Sequence, residues 1–368
     1  MAADPDMIQI VPRLPPLLDG VGDYALRVAH WLRDHTGIVC HFIACAPNEV
    51  QARTVDGFAV DIPDRRQSQQ LVDLLQRLNP GGQAPVVCQM SGYGYSPDGA
   101  PHWVVDGLRG YQRQGGVRIA TVFHELFATS VPWRRTFWYT ARQKTVVREL
   151  AGLSDAALCT LERNERVIRR WNPELPITRL AVPSNMPEPV NLPAWHTREA
   201  ALVVFGLASS RMRAYAQAQV LQQVCRALQV ETIYDVGPEL ARYPAMPGVK
   251  LVRTGVLLPP QVSHILMRCR YGYLAYEPQT LAKSGVMAAY SSHGLATITP
   301  RSHGAIASDG LQSGRHYLAA GELPTASVAH LQAAAQAAAH WYAGHDVAAH
   351  AAWYRSLVRP GAQTPVPP

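Results

Sequence analysis

The sequence predicts an α/β protein made of two doubly wound Rossmann-like domains facing each other across a cleft. Two observations carry this. Short apolar runs of strand length alternate with amphipathic segments of helix length almost throughout, the signature of a parallel sheet with helices on both faces. The chain has 368 residues, long for one core, and a proline-rich stretch divides the alternation into two halves.

In the first half MIQIV (7–11) reads as a strand, followed by a loop of prolines and glycines and then a helix. Ala25, Val28, Ala29 and Leu32 fall at i, i+3, i+4 and i+7, one buried helical face. IVCHFIAC (38–45), PVVCQM (85–90), VRIATVF (117–123), DAALCT (155–160) and PITRLAV (176–182) are the further strands. PSNMPEPVNLPAWHT (183–197) is too rich in proline for a helix and reads as a linker. The alternation then resumes with ALVVF (201–205), ETIYDV (231–236), VKLV (249–252), YGYLAY (271–276) and LATI (295–298). The expected boundaries are a first domain over 1–185, a linker over 186–199, a second domain over 200–325 and C-terminal helices over 326–358 that pack back on the first domain. The tail from Ser327 to Trp353 is alanine-rich and helical. Its His340, His345 and His350 step by five, so they share no face and read as solvated histidines, not metal ligands.

Composition narrows the classes. Hydrophobic residues make up 48% and charged ones 17%, a globular balance. The net charge is +7, but pairs such as Arg134-Arg135 and Arg169-Arg170 are scattered, so no nucleic-acid surface is expected; a small anionic ligand or an anionic membrane face suits the charge. The six cysteines lack Cys-x-x-Cys spacing and most lie in apolar runs, which argues for buried free thiols. The N-terminus has no signal-peptide pattern and no run reaches the ~18 apolar residues of a membrane span. A cytoplasmic protein is expected.

Ligands of doubly wound sheets sit at the carboxyl ends of the strands, so the loops there carry the candidate residues. In LLDGVGDYA (17–25), Gly20, Val21 and Gly22 open a helix and either admit a ligand to the backbone or serve turn geometry alone. In FHELFA (123–128), His124 ends a strand and is the candidate acid, base or hydroxyl-binding group, against a structural histidine. VPWRRTFWYTARQK (131–144) mixes Trp133, Phe137, Trp138 and Tyr139 with basic residues, fitting either a core helix or a peripheral membrane contact. In FGLASSRMRAY (205–215), Gly206, Ser209, Arg211 and Arg213 suit a phosphate. In AKSGVMAAYSSHGLATI (282–298), Ser284 is the expected N-cap, the amides of Gly285 and Val286 are free for an anion, and Lys283 adds a full charge.

The ordered set of these elements resembles the GT-B glycosyltransferases of the retaining family-four, glycogen-synthase-like group, over nearly all of residues 7–358. LPPLLDGVGDYALRVAHWL resembles the Gly-Val-Gly loop of the acceptor half, FHELFA the cleft histidine segment, and RNERVIRRW and VPSN the lead into the linker. ALVVFG, YDVGPE, GVLLPPQVSHILMRCRYGYLAYEP and AKSGVMAAYSSHGLATI follow the donor half in order. The resemblance implies transfer of a sugar from a nucleotide diphosphate sugar to the hydroxyl of a saccharide or lipid-linked saccharide, with no obligatory metal or other cofactor. It implies that the Gly20–Gly22 backbone lies near the donor phosphates or sugar, that His124 holds the hexose, and that the Gly285 region holds the diphosphate. The family's two glutamates are replaced by Leu281 and Ala289, and its arginine and lysine after Gly206 by Leu207 and Met212. Two other functions remain open on this pattern: a catalytically inactive sugar-nucleotide-binding scaffold, and a sugar-nucleotide epimerase.

Overall fold

The computed structural model describes residues 5–17, 19–45, 52–115, 117–128, 135–301 and 309–358. They form two compact units, one up to Leu180 and again from Val347 on, the other from Ala181 to Asp346.

The first unit runs β1 (Met7–Val11), α1 (Gly20–Thr36), β2 (Cys40–Ala44), β3 (Thr54–Val55), β4 (Phe58–Asp61), α2 (Ser68–Leu78), β5 (Val86–Met90), α3 (Gly92–Tyr95), α4 (His102–Gln112), β6 (Ile119–Phe123), α5 (Arg135–Leu153), β7 (Ala156–Cys159), α6 (Glu162–Trp171) and β8 (Ile177–Arg179). Its sheet order is β3-β4-β2-β1-β5-β6-β7-β8, parallel except for the β3/β4 pair. Both faces are buried. Ile8 and Ile10 of β1 enter one core, Met7 and Val11 the other, which is why the strand is apolar at almost every position.

The second unit runs β9 (Glu199–Phe205), α7 (Ala208–Tyr215), α8 (Ala218–Ala227), β10 (Thr232–Val236), β11 (Lys250–Gly255), α9 (Pro259–Arg268), β12 (Cys269–Tyr273), α10 (Gly285–Ser292), β13 (Ala296–Thr299), β14 (Leu318–Ala319) and α11 (Val328–Ala343). Its all-parallel order is β11-β10-β9-β12-β13-β14, the 3-2-1-4-5-6 arrangement of the doubly wound fold. The last helix, α12 (Val347–Val358), belongs to the first unit, where Ala351, Trp353 and Tyr354 join the core beneath α1.

Three expectations are revised. The segment 186–199 is part of the second unit, and Trp195 within it is 8% exposed in that unit's core. The tail is two helices separated at Gly344, assigned to different units. Of the three histidines stepping by five His340 is exposed, but His345 and His350 are buried, and His350 Nδ1 lies 2.8 Å from the Tyr24 hydroxyl. All six cysteines are free and buried, and burial pushes the Cys88 thiol up to about 12. Among the described residues no helix is long and apolar enough to cross a membrane, and no three His, Cys, Asp or Glu side chains form a metal-binding group.

Candidate functional site

In each sheet the connections leave in opposite directions from neighbouring strands at one point, which opens a crevice outside their carboxyl ends. In the second unit that point lies between β9 and β12. Three backbone segments converge there. The turn after β9 passes through Gly206 at φ +125°, and the turn after β10 through Gly237 at φ +145°, conformations that favour glycine. A Cβ on Gly237 would stand 2.3 Å from the Gly206 carbonyl oxygen, and one on Gly206 would stand 3.1 Å from Cγ2 of Val286 on α10. The third segment is the head of α10.

Ser284 caps that helix as expected: its Oγ accepts from the Met287 amide at 3.2 Å. The amides of Gly285 and Val286 lie in the first turn and have no acceptor among the described residues. A Cβ on Gly285 would meet nothing within 4 Å, so this helix head fronts open space. Lys283 is half-buried immediately before the cap. Tyr290 fixes the helix from below: its hydroxyl donates to the Val203 carbonyl (2.9 Å) and accepts from the Phe205 amide (3.2 Å). Its ring occupies the space above Gly272, where a Cβ would come within 2.5 Å of it.

The two arginines after β9 divide. Arg213 is exposed, and its guanidinium lies 5.7 Å from the ring centroid of Tyr276 at the same edge. Ser209 is exposed beside it. Arg211 does not offer the free fork the sequence suggests. It is 1% exposed and grips the buried Asp235, with Nε donating to Oδ1 at 2.9 Å and Nη2 to Oδ2. Its Nη1 donates to the Pro238 carbonyl. Asp235 also accepts from the hydroxyls of Tyr215 (2.8 Å) and Tyr243 (3.0 Å). Burial works against the charge of Arg211, but the hydrogen bond and charge of Asp235 outweigh it and raise its pKa. Arg211 therefore braces the Gly237 turn from beneath.

The positions of the absent carboxylates are closed: Leu281 is 1% and Ala289 0% exposed. Leu207 and Met212 are 56% and 54% exposed on the α7 side.

In the first unit the switch point lies between β1 and β5, and α1 starts beside it. Asp19 caps α1, its Oδ1 accepting from the Val21 amide at 3.0 Å. Gly22 is buried where a Cβ would come within 2.0 Å of the Arg13 carbonyl oxygen, so its lack of side chain serves chain packing. Only Gly20 fronts open space. Burial, then the charge of Asp19, pushes Asp23 up to about 6. A head bearing two carboxylates is poor ground for a phosphate and better suited to hydroxyls.

His124, just past β6, has its Nε2 3.0 Å from Gln89 Oε1. The Gln89 amide nitrogen donates to Gln9 Oε1 (2.8 Å) and to the Tyr354 hydroxyl (2.7 Å), which orients its oxygen toward the imidazole. Nε2 of His124 is then the protonated nitrogen, and Tyr24 packs edge-on at 5.0 Å. This buried polar chain, reaching to α12, escapes sequence reading because its members lie 265 residues apart between Gln89 and Tyr354. The sequence marks the Val-Gly turn of YDVGPE, with Gly237, but not the pairing of its Asp235 with Arg211.

No protein-family model matches the chain, and no curated protein sequence matches it. Solved structures do match. An α-glucosyltransferase in complex with UDP and a 13-mer DNA containing a HMU base superposes with TM-score 0.59 at 9% identity, over 96% of this chain and 99% of the other. A UDP-forming α,α-trehalose-phosphate synthase from Burkholderia xenovorans gives TM-score 0.59 at 8% identity, over 98% and 100%. A lipopolysaccharide outer core galactosyltransferase gives TM-score 0.55 at 11% identity, over 96% and 99%. One of these neighbours is bound to DNA, so the fold lends no support to the expectation that nucleic acid is excluded as a partner. At such identities the likeness speaks for architecture, and the architecture of this chain is that of the GT-B glycosyltransferases.

Proposed function

We propose that this protein is a glycosyltransferase that moves a sugar from a nucleotide diphosphate sugar to an acceptor hydroxyl. The observation that carries the proposal is the open head of α10, set against the Gly206 turn at the switch point of the second unit. A helix N-terminus with free amides and an adjacent lysine is a site for a diphosphate. Neighbours of this fold in complex with UDP or UDP-glucose make a uridine donor the first to test.

In this reading Gly206, Ser209, Lys283, Ser284, Gly285 and Val286 receive the donor, with Arg213 beside Tyr276 at the rim. In this reading the amides of Gly285 and Val286, fixed by the helix, meet the charge that develops on the leaving diphosphate and lower the barrier with little reorganisation, and Lys283 adds a full charge beside them. In the first unit, His124 binds the transferred sugar, and Gly20 with Val21 and Gly22 forms an edge for hydroxyls, not phosphate. The acceptor is a saccharide or lipid-linked saccharide. Trp138 on α5 is 74% exposed and suits a peripheral membrane contact at the inner face; residues 131–134 of that segment lie outside the described residues.

The test is calorimetric titration with UDP-, GDP-, ADP- and TDP-sugars, followed by release of free nucleoside diphosphate on adding an acceptor extract. Binding with acceptor-dependent release is expected; absence of binding to every donor refutes the proposal. A second reading, a donor-binding scaffold without turnover, is favoured by the apolar Leu281 and Ala289, and it predicts binding with no release.

A further inference from the structure

A cavity of ≈290 Å³ opens in the second unit at the amino ends of β9 and β13, the edge opposite the crevice described above. Its walls include Trp195, Arg198, Gly294 and, from α11, Gln332, Gln336 and Ala339. Arg198 is 6% exposed, yet only backbone holds it. Its Nε donates to the Pro193 carbonyl (3.2 Å), and its Nη1 to the carbonyls of His293 (2.7 Å) and Gly294 (3.1 Å). No carboxylate pairs with it among the described residues, and burial pushes its pKa down.

A guanidinium withdrawn from water without a counter-charge is costly. Three carbonyls fix its plane and leave Nη2 without an acceptor among the described residues, while that atom is not one of the sealed, unpartnered nitrogens of the structure. Gln332 and Gln336 stand one helical turn apart on the same wall, and neither amide is engaged by another described residue. Fixed cation, adjacent amides and a concave, solvent-open volume are the parts of a small-ligand site.

We propose that this cavity is a second ligand site, separate from the donor site, for a small hydroxylated organic anion. Its phosphate or carboxylate meets Arg198 Nη2, and its hydroxyls meet the amides of Gln332 and Gln336. Placed behind the sheet that carries the donor crevice, the site is positioned for a regulatory ligand and does not compete for the donor pocket.

The full chain is titrated calorimetrically with ribose 5-phosphate, gluconate and neutral ribose, with and without saturating UDP. At least one anion is expected to bind and ribose is not; whichever anion binds tells phosphate from carboxylate. Ala339→Trp, which fills the cavity, and Arg198→Met should each weaken that binding at least tenfold, with far-UV circular dichroism reporting the fold. If Arg198→Met does not fold, Ala339→Trp decides alone. Binding of neither anion, binding that survives Ala339→Trp, or displacement by UDP overturns the proposal. Failure of UDP to bind leaves this outcome readable, because the anion titration needs no donor.

Discussion

Replacing Arg211 by alanine should unfold the second unit more easily instead of merely loosening a ligand. The Asp235 carboxylate is fully buried and takes a two-pronged contact from Arg211 besides two tyrosine hydroxyls. Without the guanidinium, a carboxylate remains buried with only neutral donors. Breaking a buried pair this way costs about 3–5 kcal/mol, against roughly 0.5 kcal/mol for an arginine on an open surface. For a unit of this size that lowers Tm by roughly 10 °C. Urea unfolding followed by circular dichroism measures the loss directly. The paired change Arg211→Met with Asp235→Leu removes both charges and should restore part of it, though the two tyrosines then lose their acceptor. A single-variant loss under about 1 kcal/mol, together with a large drop in donor affinity, would refute the bracing role and return Arg211 to the phosphate.

Lys283→Ala should weaken UDP binding about tenfold, the scale of one charge-assisted contact; unchanged affinity by calorimetry removes the lysine from the site. His124→Ala should lower turnover about a hundredfold and donor affinity by much less, and kinetically normal enzyme would make His124 structural. Asp23 adds a pH dependence whose sign follows from its upward shift. Its folded pKa of about 6 lies above the ordinary 3.8, so the folded state binds more protons in between and stability falls as pH rises from 4 to 6. The loss is on the order of 2–3 kcal/mol, and Asp23→Asn should flatten it; an unaltered profile in urea melts assigns the dependence elsewhere.

Most of the longer strands could be read because they are apolar runs with both faces buried, as MIQIV coincides with β1. The two-residue edge strands β3 and β14 could not, nor could the four-residue β4 beside β3, since runs this short near a sheet margin carry little periodicity. The Ser284 cap was legible because capping is local chemistry, a side chain bonding an amide three residues on. The role of Arg211 was not, because its partner lies 24 residues away on the next strand, and only folding brings the two together. His350 belongs to the same class: an alanine-rich helix reads alike whether its histidine meets water or, 326 residues back, the hydroxyl of Tyr24.

The apolar pair Leu281 and Ala289 bears on what the donor site can select. An ionised carboxylate at either position would have to be satisfied inside packed structure, since both are closed to solvent. The loss is therefore built into the packing around α10, and what remains at its head is positive in character: two free amides, the helix dipole and Lys283. Under the proposed function such a site would grip the diphosphate without the repulsion a neighbouring carboxylate adds, and it would lack that carboxylate as an acceptor for ribose hydroxyls. Most of the affinity for UDP should then reside in its diphosphate. Pyrophosphate competing against UDP measures this directly: affinities within about tenfold, or 1.4 kcal/mol, agree with the reasoning. A gap of three orders of magnitude would mean that other residues grip the nucleoside.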